Sequence, residues 1–116
     1  MAHVFGQAAV ILACAGLACS SAAHAFDEQA AKELARANNC FKCHAVSKDK
    51  DGPAYAKVAE KYKGKADAES KLVYHITSGE KAKFADGHEE EHKIAKTSPA
   101  KDEAQINNLV QWILAQ

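Results

Sequence analysis

The five residues Cys40-Phe41-Lys42-Cys43-His44 decide how the rest of this chain is organised. Two thiols three positions apart can each add across one vinyl group of a haem, and the histidine beside the second thiol is then held where it can bind the iron. C-x-x-C-H is therefore an attachment signature for one covalently bound haem c and its iron. We expect thioether bonds at Cys40 and Cys43 and axial ligation by His44.

Two other kinds of site use a C-x-x-C pair. A zinc site would combine Cys40 and Cys43 with His88 and His92, whose H-x-x-x-H spacing suits a Cys₂His₂ set. That arrangement leaves His44 without a role, and the stretch between the two pairs is far longer than in a compact zinc finger. A dithiol redox enzyme would need a βαβ context, and the sequence shows no strand-rich alternation. The haem interpretation is favoured.

The amino terminus carries the features of a secretory signal peptide. Residues 8–18 form an almost unbroken apolar run that is too short to span a bilayer, and Ala23-His24-Ala25 follows as an A-x-A cleavage site. Cleavage after Ala25 divides the chain into a signal peptide (1–25) and one exported domain (26–116). We therefore expect a periplasmic protein without a membrane span after cleavage.

Two alternatives to cleavage stay open. Residues 1–7 contain no Lys or Arg and so lack the usual positive start, which leaves a retained amino-terminal anchor as one alternative. Lipid attachment at Cys14 or Cys19 is the other. With cleavage, 91 residues remain, so the apolar core is marginal and a covalently held porphyrin would supply a hydrophobic centre.

The remaining sequence predicts an all-α fold of about four short helices wrapped around the haem. Helices are expected from Asp27 to Cys43, along a stripe from Tyr55 to Tyr62, between Asp67 and Gly79, and from Ser98-Pro99 to the end. In the last of these the apolar residues Ile106, Leu109, Val110 and Ile113 repeat at helical spacing. Residues 80–97 are expected to form a long loop, and His75 is expected on the exposed side of its helix.

The order of these features resembles the small class I cytochromes c of bacteria over nearly all of the exported domain. The resemblance is carried by the attachment motif, by Gly52-Pro53-Ala54-Tyr55, and by Asp102-Glu103-Ala104-Gln105 followed by Trp112. It implies a cytochrome c fold and an electron carrier rather than an enzyme. It also implies that the Pro53 carbonyl accepts a hydrogen bond from the His44 imidazole and so fixes its orientation.

The second axial ligand of that family is normally a methionine before the last helix, and the only methionine here is Met1. His92 stands in the comparable place before Ser98, and we expect it to be the distal ligand. His88 or a five-coordinate iron is the alternative. A second imidazole favours ferric iron, so a bis-histidine site should work at a low potential.

Charged residues are balanced overall, with 15 basic and 15 acidic, but unevenly distributed. Residues 32–71 hold ten Lys or Arg against six Asp or Glu, which predicts a basic surface around the attachment motif. We expect a monomer that docks redox proteins through their acidic surfaces, and we find no nucleic-acid motif. The alternative function is a haem-based gas-binding protein or small oxidoreductase with a labile distal ligand.

Overall fold

Helices dominate residues 26–116, the part of the chain that this computed structural model describes. The elements are α1 (Glu28–Ala37), a 3-10 turn (Cys40–Lys42), α2 (Tyr55–Tyr62), α3 (Ala68–Ser78), β1 (Lys81–Lys83), β2 (Glu89–Glu91) and α4 (Glu103–Leu114). Four short helices confirm the expected fold class. Within this part of the chain no helix combines the length and the apolar character needed to cross a bilayer. The predicted signal peptide lies outside the described residues.

The carboxy-terminal helix α4 is the centre of the core, and α1, α2 and α3 all pack against it. Ala31 and Ala35 on α1 are fully buried, and their small side chains let the two terminal helices approach closely. Asn108 joins these helices through two hydrogen bonds to the Asp27 backbone, of 2.6 and 2.9 Å. The buried residues of α4 are Ile106, Leu109, Val110, Trp112 and Ile113.

Helix α1 is shorter than the sequence pattern predicts. Asp27 caps its start, since the carboxylate accepts from the Ala30 N–H at 3.0 Å, but the helix ends at Ala37 instead of Cys43. Asn39 adopts a left-handed conformation with φ of 57°, which an α-helix cannot continue through. The chain therefore turns before the attachment motif, and Cys40 begins a separate 3-10 turn.

The expected long loop over residues 80–97 is wrong in its first part, because β1 and β2 form an antiparallel hairpin there. Lys81 faces Glu91 and Lys83 faces Glu89, so opposite charges lie across the two strands. Gly87 makes the turn with φ of 92°. A strand pattern of alternating apolar residues is absent, which is why the sequence did not predict the hairpin.

The sequence pattern predicts that the last helix starts at Ser98-Pro99. In the structure α4 begins later, at Glu103. The Asp102 carboxylate is its cap and accepts from the Gln105 N–H at 3.0 Å. Just before it, Lys101 is left-handed with φ of 59°, so the preceding residues cannot belong to the same helix.

Candidate functional site

The 3-10 turn at Cys40–Lys42, with Cys43 and His44 directly after it, forms the attachment turn. It brings the two cysteines and His44 to one edge of the helical core. The Cys40 carbonyl accepts hydrogen bonds from the backbone N–H groups of Cys43 at 3.2 Å and His44 at 3.0 Å, which closes the turn. Both thiols are free and half-buried. Burial raises the pKa of the Cys40 thiol, and the hydroxyl of Tyr55 is hydrogen-bonded to it. Burial therefore favours the protonated form of the Cys40 thiol.

The His44 ring is held on its Nδ1 side. This nitrogen lies 2.8 Å from the Pro53 carbonyl oxygen, which can only accept, so Nδ1 carries the proton. Nε2 then has a free lone pair, as a metal ligand requires. Tyr55 stacks on the same ring, with 5.0 Å between ring centres and 19° between planes. The contact with Pro53 is the one that the resemblance implied.

Gly52 lies directly against the His44 ring. A Cβ atom at this position would be 2.4 Å from Cε1, 2.8 Å from Nδ1 and 2.9 Å from Nε2 of His44. Real side chains do not approach so closely, so only glycine fits here. Gly52 also donates its N–H to the Cys43 carbonyl at 2.7 Å. The Gly-Pro pair therefore does more than make a turn. It forms the seat of the imidazole, with Gly52 against the ring and the Pro53 carbonyl at Nδ1.

His92 faces His44 from the segment that follows the hairpin, with 6.3 Å between the two ring centres. Its Nδ1 lies 2.9 Å from the Lys93 carbonyl oxygen, so this nitrogen also carries the proton and Nε2 is free. Burial and the nearby His75 lower the pKa of His92. The ring therefore stays neutral near pH 7, the protonation state in which imidazole binds metals.

The separation of these two rings fits one iron between them. With about 2.0 Å for each metal–imidazole bond and about 1.1 Å from nitrogen to ring centre, rings on opposite sides of one metal have centres about 6 Å apart. The observed 6.3 Å agrees. A C-x-x-C pair for attachment, a glycine seat and two imidazoles that each have Nδ1 at a backbone carbonyl form a donor set suited to a covalently bound haem. When bound, a haem supplies an iron that accepts and releases one electron.

His88 is placed differently. It lies at the tip of the hairpin, where Nδ1 is bound to the Asp86 carboxylate and Nε2 lies 3.2 Å from Glu90. The hydrogen bond that His88 donates to the Asp86 carboxylate raises the pKa of His88, so the protonated form, which has no free lone pair, is favoured. Both ring nitrogens are thus engaged by carboxylates.

The zinc alternative is not supported. Among residues 26–116 no group of three or more His, Cys, Asp or Glu side chains is arranged to hold a metal ion. Cys40, Cys43, His88 and His92 therefore do not form a four-ligand site.

His75 was expected on the exposed side of its helix, and this prediction is wrong. Its ring centre lies 4.3 Å from that of His92, and its Nδ1 is 2.7 Å from a carboxylate oxygen of Glu80. The sequence holds a weak signal for this placement, because His75 lies three residues after Leu72 and directly before Ile76, at the border of the apolar face.

Tyr55 and Trp112 are both buried in the core. They also line the site: Trp112 packs edge-on against Phe41 and Tyr55, with ring centres 6.3 and 5.6 Å away. The indole N–H of Trp112 is buried without a hydrogen-bond partner among the described residues.

Comparison with known proteins gives a single consistent family. The sequence model of the family described as Cytochrome c matches residues 28–116. Cytochrome c2 from Rhodocyclus tenuis is 38% identical over 82 residues, which cover 71% of this chain and 87% of that protein. Cytochrome c-551 from Pseudomonas aeruginosa is 32% identical over 83 residues, 72% of this chain and 73% of that protein.

Solved structures agree. The class 1 cytochrome MtoD from Sideroxydans lithotrophicus ES-1 superposes with a TM-score of 0.72 at 68% identity, over 78% of this chain and 97% of that one. Cytochrome c552 from Nitrosomonas europaea superposes with a TM-score of 0.58 at 30% identity, over 72% of this chain and 96% of that one.

Proposed function

This chain belongs to the cytochrome c family of electron-transfer haem proteins, and from that premise we propose that it is a low-potential electron shuttle with bis-histidine ligation. The family binds one haem c covalently and its members carry electrons without acting as enzymes. In this chain the haem would be attached through Cys40 and Cys43, with His44 as proximal ligand and His92 as distal ligand.

One observation carries the proposal. The ring centres of His44 and His92 lie 6.3 Å apart, and each ring has a backbone carbonyl at Nδ1, so that Nε2 is the nitrogen available to a metal. Metal-ligating histidines are commonly held through their second nitrogen in this way, which fixes both the tautomer and the direction of the lone pair. His88 has no free nitrogen to compete, and residues 26–116 contain no methionine.

The ligand set determines the range of the potential. A thioether stabilises ferrous iron, whereas a second imidazole donates better to ferric iron and lowers the potential. The Pro53 carbonyl adds to this effect because it makes the His44 imidazole a stronger donor. Glu90 and Glu91 lie next to His92 in the sequence, and negative charge there also favours the ferric state. The protein should therefore give up its electron more readily than relatives with methionine ligation.

A redox titration of wild type and His92→Met tests the proposal. Restoring a thioether should raise the midpoint potential by on the order of 100 mV. His88→Met is the matched control, because it introduces the same side chain at the other histidine of the loop, and it should leave the potential unchanged. A wild-type potential in the range of ordinary His/Met relatives, or a shift caused by His88→Met alone, would refute the ligand assignment.

Carbon monoxide binding separates a shuttle from a gas-binding protein. Both axial positions of a shuttle stay filled in both oxidation states, so ferrous wild type should take up carbon monoxide much more slowly than His92→Ala, because the distal histidine must first dissociate. Rapid uptake by wild type would show that the distal position is open, and the shuttle proposal would fail.

We further propose that redox partners dock through acidic surfaces onto lysines near the attachment turn. Lys42 lies within the motif and is exposed, and the charge of exposed Lys93 reaches Cys40, where it partly offsets the rise in the thiol pKa that burial causes. Electron transfer to an acidic partner should therefore slow with ionic strength. The double variant Lys42→Gln/Lys93→Gln should weaken this dependence, whereas Lys61→Gln/Lys65→Gln, near the end of α2, should not. Equal salt slopes would contradict the docking proposal.

Export to the periplasm as a monomer completes the proposal. Cleavage after Ala25 should give a mature chain that begins at Phe26, which amino-terminal sequencing of the periplasmic fraction can test. A chain retaining residues 1–25 would favour an anchor. Sedimentation at working concentration tests the oligomeric state, and a stable dimer would contradict the expected monomer.

A further inference from the structure

A third histidine lies beside the two that face each other. His75, on the last turn of α3, has its ring centre 4.3 Å from that of His92, with 43° between the planes. Its side chain is 32% exposed. Nδ1 lies 2.7 Å from a carboxylate oxygen of Glu80, so the ring is held at one end while it packs against the His92 ring. No family motif in the sequence accounts for it.

Glu80 connects this ring with the segment that carries His92. Its carboxylate holds His75, and its backbone carbonyl accepts a hydrogen bond from the His92 N–H at 2.9 Å. Three residues further on, the Ala95 N–H donates to the Ile76 carbonyl at 2.7 Å. The backbone on both sides of His92 is therefore fixed to the end of α3, the same helix end that carries His75.

The His92 ring itself has fewer constraints than its backbone. The Lys93 carbonyl holds Nδ1 at one point, and a single hydrogen bond leaves the ring free to tilt about that point. On the opposite side, His44 is fixed more fully, by Pro53, by the Gly52 seat and by Tyr55. Something must restrict the His92 ring if both imidazoles are to keep a defined orientation on one iron.

We propose that His75, held in place by Glu80, is a positioning residue that fixes the orientation of the His92 ring. The inference rests on the proposed ligation by His92. His75 supplies the surface against which that ring lies, as Tyr55 does for His44. Residues that hydrogen-bond or pack against a metal ligand without touching the metal typically change metal affinity or activity about 10- to 100-fold when they are removed.

The test uses the haem-loaded protein and compares wild type, His75→Ala, Glu80→Ala and Tyr74→Ala. Tyr74 is the matched control because it lies next to His75 on α3 and is 60% exposed. Two readouts report on the distal ligand: the width of the ferric low-spin resonance signal, and the rate at which the ferrous protein takes up carbon monoxide. Neither depends on an electron-transfer partner.

His75→Ala should broaden the low-spin signal, because the His92 ring then samples several orientations, and should speed carbon monoxide uptake about tenfold. Glu80→Ala leaves the His75 ring in place and removes only its hydrogen bond to the carboxylate. It should therefore change both readouts in the same direction as His75→Ala, but by a smaller amount. It also keeps the test decisive if His75→Ala does not fold. Tyr74→Ala should match wild type.

His92→Ala, measured in the same series, separates the two possible failures. If wild type is low-spin and His92→Ala becomes high-spin, while His75→Ala and Glu80→Ala both match wild type, His75 has no positioning role and only this inference is overturned. If His92→Ala remains identical to wild type, the proposed ligand is wrong and the inference falls with it.

Discussion

Replacing Gly52 by Ala tests the seat of the His44 ring. The added Cβ would lie 2.4 Å from Cε1 of His44, whereas ordinary van der Waals contact begins near 3.4 Å. The imidazole, or the backbone beneath it, must therefore move by about 1 Å. The ring cannot simply swing away, because the Pro53 carbonyl holds Nδ1 at 2.8 Å and Tyr55 covers the ring.

This displacement should have two measurable effects. Overpacking of this size costs about 1–3 kcal/mol, which lowers the melting temperature of a domain of this length by roughly 10 °C. A movement of about 1 Å also weakens the hydrogen bond from His44 Nδ1–H to Pro53, so the imidazole becomes a poorer donor to ferric iron. The midpoint potential should therefore rise, while haem attachment at Cys40 and Cys43 continues.

Thermal unfolding and redox titration of the haem-loaded protein measure both effects. Gly64→Ala is the control, since Gly64 has φ of +73° and no atom within 4 Å of an added Cβ. It should cost about 1 kcal/mol through backbone strain alone and leave the potential unchanged. A Gly52→Ala protein with wild-type stability and potential would refute the idea that this glycine seats the imidazole.

Three further predictions concern the core, a helix cap and Tyr55. Leu109→Ala, at a residue 1% exposed, should lower the free energy of unfolding by about 2–5 kcal/mol in denaturant titration; a loss below 1 kcal/mol would contradict the central place of α4. The Gln105 backbone N–H lowers the pKa of Asp102, so this carboxylate adds stability above its unfolded pKa of about 3.9, and that stability is lost as pH falls through the lower folded value. Asp102→Asn keeps a capping oxygen without titrating, so its acid unfolding should be less steep below pH 4 than that of wild type; identical profiles would contradict this role. Tyr55→Phe keeps the ring stacked on His44 and removes the hydroxyl beside Cys40. The variant should lose about 1 kcal/mol of stability in thermal unfolding and keep the wild-type absorption spectrum. Loss of haem attachment would contradict this prediction.

The sequence alone predicted those features that require particular residue types at a short, fixed spacing. C-x-x-C-H predicted one haem c, and the family comparisons support that cofactor. The four helices were predicted from apolar repeats, and the cap at Asp27 from its side chain. His92 was selected by its distance from the last helix, and the structure brings its ring opposite His44. Its role as a ligand stays a prediction.

The sequence did not predict those features of the structure that depend on contacts between distant segments or on the local backbone conformation. His75 faces His92 because Glu80 holds it, a pairing that the helical periodicity of α3 does not contain. The hairpin places Lys opposite Glu across its two strands and has no apolar alternation that could have indicated it. The carboxy-terminal end of α1 and the start of α4 were misplaced because Asn39 and Lys101 adopt left-handed conformations, which neither residue type requires.

The most direct measurement is the electron paramagnetic resonance spectrum of the ferric haem-loaded protein, wild type beside His92→Ala. Ligation by His44 and His92 predicts a low-spin signal with two imidazoles for wild type and a high-spin signal for His92→Ala, and the absorption spectrum of the same wild-type sample should lack the near-infrared band of methionine ligation. A high-spin wild type, or a His92→Ala protein that keeps the wild-type signal, would contradict the bis-histidine site.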